Sequence, residues 1–221
     1  MSSLKNDSKA DVKSDVKSHS KLCILEAAAK LFSRLGVDRT STREISKESK
    51  SNISLISYHF GGKEGLYKEV IKEFALKIQS QFSHLPMHDE AKSVTHEVFT
   101  LEVQRIVDHM IDMRLSHPEI SVIMAREKIE GMPLSREIHE EIFYPLIKNF
   151  FHLFKLAQAN KVVKADLNPA LFFILLSEGI FGFYEVMDCK TSLHKDCEDL
   201  LKDKNKLKKQ IVDLYLTGAL I

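Results

Sequence analysis

Ser51-Asn-Ile-Ser-Leu-Ile-Ser-Tyr-His-Phe-Gly-Gly-Lys-Glu-Gly-Leu-Tyr67 is the stretch on which the reading of this chain turns. Asn52 is a helix-capping residue type, and the Gly61-Gly62 pair is a stop signal, so a short helix is predicted over 53–59. Just upstream, Thr40, Ser41 or Thr42 can cap a second short helix over 42–49, with Arg43-Glu-Ile-Ser-Lys-Glu inside it. A tight turn near Lys50-Ser51 joins the two, which is helix-turn-helix spacing. Ile45, Ile56 and Phe60 are then expected to point inward. The second helix would show Ile53, Ser54, Leu55, Ser57, Tyr58 and His59 outward. Hydroxyls, apolar side chains and an aromatic suit base edges, thymine methyls and phosphates. Lys63 opens the following helix and adds its charge to that helix's positive end, which favours a phosphate.

Outward from this stretch the pattern stays helical. Leu22, Leu25, Ala28, Ala29, Phe32 and Leu35 recur at helical spacing before Gly36, a C-terminal cap. Tyr67, Val70, Ile71, Phe74, Ile78 and Phe82 form the stripe of the helix that starts at Lys63, and Pro86 ends it. Further helices are expected over about 92–116, 118–130, 135–159, 168–188 and 196–219, the fourth opened by Asn168-Pro169. No alternating run of useful length argues for a strand. Residues 1–20 repeat Asp-Val-Lys-Ser twice, carry few apolar side chains, and read as a solvated tail.

Charge is unevenly spread. The chain has 221 residues and a net charge of +1, yet residues 21–63 hold eight Lys/Arg against four acids. A basic head on an acidic body is what local phosphate binding requires. Hydrophobic residues make up 44%, enough for a substantial core. Three scattered cysteines fit a reducing compartment rather than a disulfide framework. No apolar leader is present, and the densest apolar run, Ala170 to Leu176, is too short to span a bilayer. A soluble cytoplasmic protein without membrane partners is expected.

At this level of detail, residues from Lys21 to about Ile78 resemble the DNA-binding domain of the TetR family of transcriptional regulators. The pattern is Ile24-Leu-Glu-Ala-Ala, Leu31-Phe, Gly36-Val, Thr40-Ser-Thr-Arg-Glu-Ile and Ile56-Ser-Tyr-His-Phe-Gly-Gly-Lys-Glu-Gly-Leu-Tyr67. The version of the last segment, with Met124-Ala-Arg-Glu and Tyr144-Pro-Leu-Ile, is similar to the CecR-like subgroup. Three departures stand out. Lys50 replaces the usual turn glycine, at a cost of roughly 1 kcal/mol in a left-handed conformation. Ser51 stands where an apolar turn anchor is usual. Ser57 replaces the usual mid-helix tyrosine, so the operator sequence does not carry over.

The resemblance implies an all-α fold. A tail (1–20) precedes a three-helix DNA-binding domain (21–78) and a larger helical ligand-binding and dimerisation domain (79–221). Expected DNA contacts are Thr40, Ser41, Thr42, Arg43, Ile53, Ser54, Leu55, Ser57, Tyr58, His59 and Lys63. An effector cavity would draw on Met110, Met113, Arg114, Met124, Glu127 and Phe150, since methionine and aromatics adapt to irregular apolar molecules. Plain core packing competes for each apolar member, and surface ion pairing for Arg114, Arg126 and Glu127. A two-fold dimer would use Phe172, Leu175, Leu176, Phe183, Ile211, Leu214 and Tyr215. No cofactor is expected. Cys189, His194 and Cys197 lack paired metal-ligand spacing, so no metal is expected either. The function implied is a homodimeric repressor on an inverted-repeat operator, released by a small molecule. A helical enzyme using the body cavity and a dimeric scaffold with a vestigial head are the competing classes. Neither a nucleophile-elbow nor a phosphate-loop glycine pattern is present to favour the enzyme.

Overall fold

The computed structural model describes residues 7–82 and 94–221, with side chains from 19 to 81 and from 94 onward. The helices are, in order, α1 (Asp7–Arg39), α2 (Thr42–Glu48), α3 (Ser54–Phe60), α4 (Lys63–Phe82), α5 (His96–Ser116), α6 (Pro118–Ile129) and α7 (Arg136–Ile138). A π-helical turn (His139–Phe143) leads into α8 (Tyr144–Ala159), followed by α9 (Pro169–Asp188), α10 (Ser192–Asp196), α11 (Glu198–Lys202) and α12 (Lys204–Ala219). No strand element occurs among the described residues, only an isolated antiparallel bridge between Val163 and Leu220.

Local signals explain most boundaries. Asn168 Oδ1 accepts from the amides of Ala170 (2.8 Å) and Leu171 (3.1 Å), with Pro169 in the first turn. The helix expected over 196–219 is instead divided. Asp203 is extended, and its carboxylate accepts from Lys206 N at 3.0 Å, starting α12 afresh. Pro145 has no amide to give to the carbonyl four residues back, and the wider π turn lies directly before it. Helix α1 begins at Asp7, inside the stretch read as a tail. Elongating an established helix costs far less than nucleating one.

Packing does not follow a single cut in the sequence. One compact unit takes Met1–Ser83 with Glu119–Phe143; the other takes His84–Pro118 with Tyr144–Ile221. In the first, Ile24, Ala28 and Phe32 of α1 are buried with Leu66, Tyr67, Ile71 and Ala75 of α4. Phe32 and Tyr67 meet edge to face at 5.0 Å. Lys21 binds Glu69 (2.8 Å) and Glu73 (3.2 Å), tying α1 to α4, and the Glu69 hydrogen bond raises the Lys21 pKa. From α6, α7 and the π-helical turn, Ile120, Ile123, Ile138 and Ile142 are also buried.

The second unit is built on α5, α8, α9 and α12. Phe99, Val103, Phe154, Phe172, Leu176, Ile180 and Leu216 belong to its core. Phe154 and Phe172 lie 5.3 Å apart, and Phe150 stacks on Phe172 at 6.1 Å. By length and composition alone α9 would suffice to cross a membrane, which the run Ala170 to Leu176 does not. Here its row Phe172, Leu176, Ile180, Tyr184 and Met187 is buried in the unit's core. A second row, Leu171, Ile174, Leu175 and Val186, is left exposed.

Candidate nucleic-acid interface

The interface is built from the end of α1 forward. Gly36 breaks the helix with φ +79°, a left-handed value that glycine adopts without strain. Of the three adjacent hydroxyls, Ser41 is the cap of α2. Its Oγ accepts from Glu44 N (3.2 Å), while Ser41 N donates to Glu44 Oε2 (2.8 Å), a reciprocal capping box. The Ser41 hydroxyl holds the Glu44 carboxyl below its usual range. Thr40 is a correction to the expected contact set. Its side chain is buried, and its hydroxyl donates to Gly36 O at 2.7 Å, so it faces the fold and not the surface. Arg43 is exposed and Thr42 half-buried.

The turn to α3 is held by its serines. Ser51 N donates to Ser46 O (3.1 Å), and Ser46 Oγ to Ser51 O (2.6 Å). Lys50 has φ +52°, so the left-handed position anticipated for it is occupied by a lysine. Asn52 Oδ1 accepts from both Ser54 N (2.9 Å) and Ser54 Oγ (2.8 Å), one residue ahead of the N-cap position, where Ile53 has no side-chain bond to offer. Ile45, Ile56 and Phe60 are buried, which fixes the rotation of α3. Its other face then shows Ser54, Ser57, Tyr58 and Ile53, the last two 71% and 41% exposed. Leu55 and His59 are half-buried, and the His59 ring packs edge to face on Tyr58 at 4.9 Å.

Gly61 and Gly62 both have positive φ and reverse the chain into α4. Gly65 marks a second constraint. A Cβ there would lie 1.8 Å from Phe60 O, so the end of α3 rests directly on the first turn of α4. Lys63 Nζ donates to Asp38 O at 3.2 Å, placing its charge beside the α1–α2 connection. The surface therefore gathers Ser41, Thr42, Arg43, α3 and Lys63, without Thr40.

The other expected sites are rearranged. Met110, Met113, Arg114 and Phe150 fall in the second unit, whereas Met124 and Glu127 fall in the first. Met110 and Phe150 are core residues; Met113 and Met124 are half-buried. Arg114 is buried, ion-paired with Asp188 and placed over the Tyr184 ring at 5.6 Å. Glu127 is not a surface ion-pair partner. It is buried, and its Oε2 accepts from Leu134 N (3.1 Å) and Ser135 N (2.8 Å). It also bonds Tyr67, whose phenol is pushed far up, first by burial and then by this carboxylate.

Of the expected dimer residues, Phe172 and Leu176 are corrections, because both are buried in their own unit. Leu175 (53%) and Leu214 (73%) are exposed, while Phe183, Ile211 and Tyr215 are half-buried. Tyr215 OH donates to Leu175 O at 2.6 Å, pinning α12 to α9. Among the described residues no three His, Cys, Asp or Glu side chains gather as a metal site; His194 Nδ1 lies against Met187 O at 2.8 Å.

Sequence reasoning had no hold on the link from Tyr67 to Glu127. Its one visible sign was a charged pair, Arg126-Glu127, inside an apolar helix.

Comparison with known proteins gives a family match over the segment that holds these helices. Residues 24–70 match the model of "Bacterial regulatory proteins, tetR family". Over 115 residues the chain is 29% identical to the probable HTH-type transcriptional regulator YttP of Bacillus subtilis, covering 52% of this chain and 53% of that protein. It is 31% identical over 108 residues to the HTH-type transcriptional repressor NicS of Pseudomonas putida, covering 48% and 47%. The chain thus spans about half the length of the curated relatives it matches. Among solved structures, HlyIIR, a hemolysin II transcriptional regulator, is similar in fold with TM-score 0.63 and 18% identity, covering 93% of this chain and 99% of that one. A TetR-family regulator from Haemophilus influenzae gives TM-score 0.60 and 18% identity, covering 91% and 99%. Those two likenesses carry the all-helical fold, and the family match is confined to the head: residues 24–70 form a domain of the TetR family of bacterial regulatory proteins.

Proposed function

We propose that this protein is a homodimeric, cytoplasmic repressor that reads an inverted-repeat operator through α3 and is released by a small-molecule effector. The observation that carries the reading is the face of α3. Ser54, Ser57, Tyr58 and Ile53 are exposed on a helix fixed by Ile56 and Phe60, with Arg43 and Lys63 flanking it. Hydroxyls and apolar groups suit base edges, and the two cations suit phosphates. The exposed apolar row of α9, with Leu214 of α12, is the surface a second copy would cover. The sign of regulation follows NicS, which is named a repressor. Effector binding is assigned to the second unit, whose core is rich in aromatic side chains.

The test is selection of bound fragments from random duplex DNA by the full chain, followed by footprinting and complex mass. Two identical heads should select an inverted repeat with half-sites about 34 Å apart, or multiples of that. A single asymmetric half-site with one protomer bound would overturn the proposal.

A further inference from the structure

A helix ends with carbonyls that have no partner of its own, and they form its negative pole. Around the end of α1, side chains donate to a group of these and neighbouring carbonyls, Lys63 Nζ to Asp38 O (3.2 Å) among them. Thr40 Oγ1 donates to Gly36 O (2.7 Å) and Leu31 O (3.4 Å), and Arg39 Nε to Leu35 O (3.1 Å). Two more, Phe32 O and Ser33 O, are taken by a residue far along the chain. Arg126 of α6 donates through Nη1 to Phe32 O (2.8 Å) and through Nη2 to Ser33 O (3.3 Å). A planar guanidinium with two parallel donors is suited to bridge two neighbouring carbonyls, and its charge opposes the helix pole.

Two neighbouring features tighten this contact. At Gly36 a Cβ would meet Arg126 Nη1 at 3.2 Å, so the glycine that turns the chain also makes room for the guanidinium. The next residue, Glu127, bonds Tyr67 of α4 and the amides of Leu134 and Ser135. Consecutive residues of α6 therefore grip α1 and α4, the two helices that frame α2 and α3.

We infer that Arg126 is a positioning residue of the reading head: it caps α1 from another element and so fixes where Thr40 and Ser41 launch α2. The inference rests on the DNA-binding reading above. It touches no base or phosphate itself and acts only through α1.

The test uses full-length Arg126→Met and Arg126→Lys with an operator fragment selected by the wild-type protein. Losing a charged, two-donor cap should weaken operator binding by about tenfold or more. Affinity for unrelated duplex DNA at the same salt should change by less than about threefold, because the phosphate-contacting cations are untouched. Lysine, a single point donor, should restore part of the loss. Amide deuterium exchange at residues 37–40 should speed up in the Met variant, with or without DNA. Lower thermal stability with unchanged operator affinity of the folded protein would overturn the positioning role. If the wild type selects no fragment, the DNA-binding reading fails. The exchange experiment then decides the cap alone, and unchanged protection at 37–40 would overturn it.

Discussion

Gly65→Ala adds one methyl group at the point where α3 ends on α4. The added carbon would stand 1.8 Å from Phe60 O and 3.0 Å from the Phe60 carbonyl carbon. A close carbon–oxygen contact needs about 3.4 Å, so roughly 1.5 Å must be found. The obstacle is backbone, anchored by the buried Phe60 ring on one side and the buried Leu66 and Tyr67 on the other. No side-chain rotation relieves it. Overpacking of this kind reaches about 3 kcal/mol, and alanine's better helix propensity offsets about 1 kcal/mol. The net loss is therefore about 2 kcal/mol, or about 4–8 °C in melting temperature for a chain of this size. The check is thermal unfolding of wild type and variant, followed by circular dichroism at several scan rates. A variant melting at or above the wild type would refute the close approach on which the orientation of α3 has been argued.

Lys50→Gly should act in the opposite sense. Relief of a left-handed lysine, about 1–2 kcal/mol, exceeds glycine's extra unfolded freedom of about 0.4–1 kcal/mol, so denaturant midpoints should rise slightly. Thr40→Val keeps the shape but strips the donor from Gly36 O; a loss of about 1–3 kcal/mol is expected in urea unfolding, whereas Thr40→Ser should recover most of it. Lys63→Ala should weaken binding to all duplexes and flatten the slope of log affinity against log salt by about 0.9 per head; an unchanged slope would remove Lys63 from the phosphate contacts. Leu175→Glu with Leu214→Glu alters exposed positions, so the helical content should persist while sedimentation shows monomers; a persistent dimer would place the interface elsewhere.

The head was legible because each of its signals has one structural meaning. Ile45 stands alone among polar neighbours in α2, and Ile56 with Phe60 at i and i+4 lie on one face of α3, so the rotation of both helices could be read. Gly36 and the Gly61-Gly62 pair mark positive φ, and the structure uses them so. Among Thr40, Ser41 and Thr42 the sequence offers three equivalent hydroxyls, and only packing decides that the first is interior. Helix α9 failed for a related reason. Leu171 to Leu176 is apolar at every position, so spacing cannot tell Leu175, which is exposed, from Leu176, which is buried. Glu127 was opaque because its partners include main-chain amides of Leu134 and Ser135, which no residue type announces.

The helical head of this protein is not a contiguous piece of chain. Glu119–Phe143 belongs to the same compact unit as Met1–Ser83, although the segment between them belongs elsewhere. Grafting the first eighty or so residues onto another regulator's body would leave Tyr67 without its carboxylate and two carbonyls of α1 without their guanidinium. A working chimera of this protein has to carry two inserts, with Arg126 and Glu127 in the second. The same argument limits how such heads diverge. A change at Gly36 or Tyr67 also disturbs Arg126 or Glu127 of α6, so substitutions at these distant positions should not be additive.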